Sequence, residues 1–225
     1  MRTSAALIVL MLCLAPQLTG SARAQVAPGA FRLSLDTDVI GFAGVHIEPD
    51  GPVQNIDATV FSLGPNQLGG SRVVRPATPL GLGLGYTVTG RVLFGLRVGL
   101  GYDVISYDGG RDDEKLLALS LMPGLTFVPF GREAKLFIQV GPLLQIDRSK
   151  QGDRKDRLLL GGMSMGLGVL VFAGNRASID LGGFFEGRWG NQKVRDEVGG
   201  VVRTNTTADV RDLRGVLRFG VSWWR

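Results

Sequence analysis

Beyond residue 24 the chain has no cysteine, a single histidine, and no apolar run long enough for a helix to cross a membrane. The missing cysteine excludes disulfides and thiol chemistry, so the fold must hold without covalent staples. The missing run excludes a helical span after residue 24. Basic residues also form no run along the chain. The formal net charge is +5, but lysines and arginines are dispersed and not interleaved with aromatics, which gives nucleic acid no binding face.

The N-terminus reads as an export signal. Met1-Arg2 gives a positive start, AALIVLMLCLAP a short apolar core, and Ala22-Arg23-Ala24 a small-x-small cleavage site, with the cut between Ala24 and Gln25. Cys13 follows Met11 and Leu12, not the small residues that lipidation requires. Cleavage removes Arg2 and Arg23 and no acid, lowering the net charge from +5 to +3. What remains, residues 25–225, is sized for one large β domain.

Glycine is abundant instead, at 34 residues, and its placement is regular. In RVLFGLRVGLGYDV, residues 91–104, alternate positions separate into two sets. Val92, Phe94, Leu96, Val98, Leu100, Tyr102 and Val104 are all apolar. Between them lie Arg91, Leu93, Gly95, Arg97, Gly99, Gly101 and Asp103. A period of two is a strand with one apolar face. The same rhythm recurs over 30–42, 78–89, 116–128, 135–147, 157–172, 177–189 and 212–224, giving eight strands.

Tight, glycine-containing connections at 89–91, 129–133 and 173–176 suit antiparallel hairpins. They alternate with longer polar stretches at 43–77, 107–115, 148–156 and 190–211. Short turns at one end and long loops at the other mark an all-β, eight-stranded, antiparallel up-and-down transmembrane barrel with both termini on the periplasmic side. The segment 55–63, NIDATVFSL, has strand character but would make the count odd. It is placed in the first long loop as a small hairpin above the membrane.

The apolar face is expected to meet lipid. The other face is mostly glycine and serine with a few arginines and aspartates, not the lysine and glutamate of a solvated surface. Several strands are long enough for a tilted span. Aromatics stand near the ends of the apolar face: Phe31, Tyr86, Phe127 and Trp223 at the turn end, Tyr102 and Trp189 at the loop end. Arg97 therefore points into the lumen, where eight strands leave room only for side chains. Inward parity also collects Arg32, Arg188, Arg214 and Arg218 against Asp36, Asp38, Asp103, Asp180 and Glu186, a near balance that implies paired charges. Asp36, Asp38 and Asp180 are the expected partners for Arg97. Arg91, Lys135 and Asp147, at strand ends, are expected to be solvated.

With this architecture the chain resembles the small eight-stranded outer-membrane barrels, the class of the OmpA transmembrane domain and OmpX. The final strand RGVLRFGVSWWR is similar to the assembly signal such proteins present to the barrel-insertion machinery, with Arg218, Gly220 and Trp223 matching and Arg225 standing where a last aromatic is expected. The resemblance implies a monomer in contact with outer-membrane lipids and lipopolysaccharide. It carries no catalytic motif. His46 could form a dyad with Ser62 or Ser71, but no fixed spacing links them. Gly81-x-Gly83-x-Gly85 follows the pleat of a strand and is no nucleotide loop. Asp112-Asp113-Glu114 is a solvated trio or a bridge through cations to lipopolysaccharide. The expectation is a non-catalytic envelope barrel without cofactor or metal. A narrow channel for water or small solutes is the alternative, and a lipopolysaccharide-modifying enzyme the third reading.

Overall fold

A computed structural model describes residues 26–50, 54–63, 80–106, 112–129, 134–174, 176–198 and 201–225. The proposed cleavage site, Ala24 and Gln25, lies outside them. Among the described residues nine strands appear in chain order: β1 (Phe31–Pro49), β2 (Ile56–Leu63), β3 (Leu80–Thr89), β4 (Val92–Ile105), β5 (Glu114–Phe127), β6 (Ala134–Gln151), β7 (Arg154–Ala173), β8 (Ala177–Val198) and β9 (Val201–Trp224).

Eight of them close a ring. Antiparallel pairing runs from β3 through β9 in sequence order, and β1 seals the sheet by pairing β3 on one side and β9 on the other. Closure leaves no membrane-level edge between β1 and β9, as lipid requires. The ninth strand is the hairpin expected in the first connection. Below, Phe31–Thr37 of β1 pairs β3; above, Ile40–Ile47 pairs β2. A register shift between Asp38 and Ile40 separates these halves. The shift turns Val39 and Ile40 both outward and carries Ala43, Val45 and Ile47 to the inner face.

The apolar face is outside. Phe31, Leu84, Phe94, Met165, Leu167, Phe185 and Leu213 are each more than half exposed. On β8 this band reaches from Ile179 to Trp189, about ten residues, which at ~3.3 Å each and a tilt of ~40° spans ~25 Å. Exposed aromatics bound the band: Phe31, Tyr86, Phe127 and Trp223 at the turn end, Tyr102 and Trp189 at the other.

Strands do not stop where the band stops, and here the polar connections read from the sequence are corrected. β6 and β7 run through 148–156 to a turn in which Gly152 takes φ +55°, and β8 and β9 extend to 198 and from 201. Their backbone groups continue the ladder above the membrane. Polarity marks the edge of the lipid, not the end of the strand. With Cys13 the sole native cysteine, single-cysteine variants report this topology. Cysteines at Asp153 or Lys193 are expected to react with an impermeant maleimide on intact cells, and one at Arg176 only after the outer membrane is opened. Equal labelling at all three would contradict the orientation.

Candidate functional site: a charged lumen

The inner positions form stacked layers. Nearest the turn end, Val26, Leu93, Val128, Phe137, Leu170, Phe184, Val216 and Trp224 make an apolar cluster reaching up one side of the bore. Ser178 accepts the Trp224 indole N–H at 3.0 Å and donates to Asp180 Oδ1 at 2.7 Å. The other Asp180 oxygen receives Arg32 Nη2 at 2.6 Å and the Ser222 hydroxyl.

The next layer holds the first ionic cluster. Arg97 Nε donates to Asp36 Oδ1 at 2.8 Å. Arg218 Nε donates to Asp38 Oδ1 at 2.7 Å, lies 3.6 Å from Asp36, and reaches Glu186 through Nη2 at 3.4 Å. Its guanidinium sits 4.3 Å from the centroid of the Phe184 ring. Glycine makes this layer possible. A Cβ on Gly81 would fall 2.4 Å from both Arg97 Nε and Asp36 Oδ1. A cavity of about 60 Å³ beside Arg32, Asp36, Arg97 and Arg218 has room for a few waters.

Above it lies a second cluster. Arg188 donates to Gln145 Oε1 and pairs with Asp212, while Gln145 Nε2 donates to Asp147 at 2.9 Å. Arg214 is buried one pleat below, opposite Glu186 in the β8–β9 register. A buried apolar cluster of Ala43, Val45, Ile47, Leu160 and Val210 lies at this end.

Of the three carboxylates expected around Arg97, Asp36 takes it. Asp38 goes to Arg218 and Asp180 to Arg32. The Asp103 side chain lies outside the described residues. Asp147, expected at a solvated rim, is 1% exposed: β6 continues past it, so the position is mid-wall. Arg91 is exposed, as expected, and Lys135 is half-buried under the Phe172 ring. In the terminal strand Trp223 faces outward, while Gly220 leaves room for Asp36, whose Cβ would stand 2.9 Å from an added methyl.

Sequence reasoning missed both apolar clusters, because inward parity was read only for its charges. Asp212 and Phe184 share that parity with Arg214 and Glu186 and could have been found with them. The residues weighed for chemistry do not converge. His46 points outward and bonds Asp57 at 2.7 Å across the β1–β2 hairpin, with both side chains exposed. Ser71 and the Ser62 side chain lie outside the described residues. Glu114 turns into the lumen and accepts the Ser149 hydroxyl at 2.8 Å, whereas Asp112 and Asp113 are exposed, so the acidic trio is split. Among the described residues no group of three histidine, cysteine or acidic side chains could hold a metal.

Solved structures place this architecture. The outer membrane protein OprG of Pseudomonas aeruginosa superposes with a TM-score of 0.52 at 14% identity, covering 90% of this chain and 99% of its own. The fold is that of the small outer-membrane barrels. The outer membrane protein AlkL matches at a TM-score of 0.48 and 15% identity, covering 92% of this chain and 94% of that one. The outer membrane protease OmpT of Escherichia coli matches at 0.45 and 10%, covering 91% and 99%. No family model and no curated protein matches the sequence. Fold and apolar belt together make the chain an integral outer-membrane barrel.

Proposed function

We propose that this protein is a non-catalytic, monomeric envelope barrel whose bore is closed and whose working surfaces are its outer wall and extracellular hairpins. One observation carries the reading: Arg97, Arg188, Arg214 and Arg218 are each below 10% exposed, locked across the lumen between two apolar plugs. A channel needs a continuous wet path, and a lipid-modifying enzyme needs a nucleophile beside its base at the membrane surface. The buried arginine layers speak against the first, and the separation of the residues weighed for chemistry against the second. Insertion proceeds through the barrel-assembly machinery, which reads the Arg218–Gly220–Trp223 pattern of β9. Extracellular β8–β9 rises farthest above the belt and is the natural contact for partners.

Two measurements test this. Proteoliposomes carrying the refolded barrel are expected to swell no faster in isotonic small sugars or glycerol than empty vesicles. Mass spectra of outer-membrane lipids from cells with and without the gene are expected to coincide. Swelling at porin-like rates would establish the channel reading, and a protein-dependent mass shift in a lipid would establish the enzyme.

A further inference from the structure

Just above the apolar belt the outer wall changes character within one pleat. On β5 the outward residues run Leu121, Leu119, Leu117, then Lys115. On β6 Ile146 gives way to Arg148 and Lys150, and on β7 Leu159 gives way to Arg157 and Lys155. On β8 Lys193 and Arg195 follow Trp189 and Asn191. All seven cations are exposed.

The strand register aligns them into two rows. In the lower, Arg148 pairs with Arg157 and Arg157 with Lys193, starting beside Leu117. In the upper, Lys115 pairs with Lys150, Lys150 with Lys155, and Lys155 with Arg195. Every cross-strand neighbour in these rows has the same sign, which concentrates positive potential on this face. Three acids at this level are turned the other way. Glu114, Asp147 and Asp156 are each adjacent in sequence to one of these cations and are buried on the inner face. Between the cations the wall is concave, with about 420 Å³ of space over Tyr102 and Leu117. This surface combines apolar residues for acyl chains with seven charges one to three pleats higher, at the depth of a lipid headgroup on the extracellular side.

We propose that the β5–β8 face is a binding site for a phosphorylated anionic glycolipid of the outer leaflet, with its phosphates across the two cation rows and its acyl chains on the leucines beneath. The inference rests on the membrane reading above, and it makes the wall, not the lumen, the ligand-binding surface. Guanidinium groups in the lower row suit bidentate contact with phosphate oxygens, while the upper row adds mainly ammonium charge.

The test uses the full mature chain folded in detergent and mixed with purified bisphosphorylated lipopolysaccharide. Native mass spectrometry counts bound lipid, and heat-modifiable electrophoretic mobility reports folding separately. Wild type is expected to retain the lipid, the dephosphorylated lipid to bind at least tenfold more weakly, and Arg148→Ala/Arg157→Ala/Lys193→Ala to lose at least tenfold while remaining folded. Arg176→Ala, at the turn end, should bind like wild type. Equal retention by the folded triple variant would overturn the proposal, as would displacement by millimolar inorganic phosphate, which would make the site one for a free anion. Should the triple variant not fold, the dephosphorylated lipid on wild type decides alone. A barrel that binds the lipid but swells vesicles would refute the closed bore and leave this site standing.

Discussion

Arg218→Leu is expected to lower the unfolding free energy of the refolded barrel by about 3–5 kcal/mol, the cost of removing one partner from a buried ionic group. Arg218 is shared by Asp38, Asp36 and Glu186, and its side chain is 6% exposed. Leucine would fill the volume but strip Asp38 and Glu186 of their Arg218 contacts, while Asp36 stays held by Arg97. The small cavity beside them admits a little water, which places the effect toward the lower end of that range. Arg218→Lys should recover part of the loss, because an ammonium supplies charge but not the fork that spans Asp38 and Glu186. Arg91→Leu, at an exposed turn position, should change little. Urea unfolding in lipid vesicles measures all three. A loss below about 1 kcal/mol for Arg218→Leu would mean that the lumen is solvated, not cross-linked.

Gly81→Val should be similarly damaging by the opposite route. Its first added carbon would already occupy the space of the Arg97–Asp36 pair, 2.4 Å from each. The backbone cannot retreat, since Gly81 is held in register between Asp36 on β1 and Gly99 on β4. Overpacking alone costs about 1–3 kcal/mol. Parting the ion pair adds to it, so the loss should exceed that range, and much of the protein should fail to reach its heat-resistant folded form. Because the clash is with Arg97, combining Gly81→Val with Arg97→Ala should cost less than the sum of the two. Gly183→Val, on the lipid face with open space where a Cβ would stand, is the control and should be near neutral. Additivity of the first pair would mean that Gly81 is required for some reason other than room for Arg97.

These two sites also separate what a sequence can reveal from what it cannot. That Arg97 points inward between glycines follows from parity alone, because a strand has only two faces. Which carboxylate receives it depends on the stagger of β1 against β3 and β4, and stagger is set by closure of the whole ring. The bulge at Val39 was hidden for a related reason. An insertion of one residue leaves both flanking patterns intact, so Ala43, Val45 and Ile47 looked like the start of a loop, not part of a buried apolar cluster. The upper hairpins were misread because alternation of hydrophobicity needs lipid on one side. Above the belt both faces are wet, and β8 continues through Lys193 and Arg195 with no apolar signature. Phe137, Leu160 and Phe184 stand at inward positions by the same parity, but parity does not show that apolar side chains from distant strands gather there.

The closure of the bore is tested most directly by recording purified wild-type protein in planar bilayers at ~0.1 M and 1 M potassium chloride. With Arg188 tied to Gln145 and Asp212, Arg218 to Asp38, and Leu160 and Val210 above them, insertion events should add no steady current at either salt concentration. Reproducible, salt-proportional conductance steps accompanying most insertions would contradict the account, because ions would then be crossing layers that these side chains are held to fill.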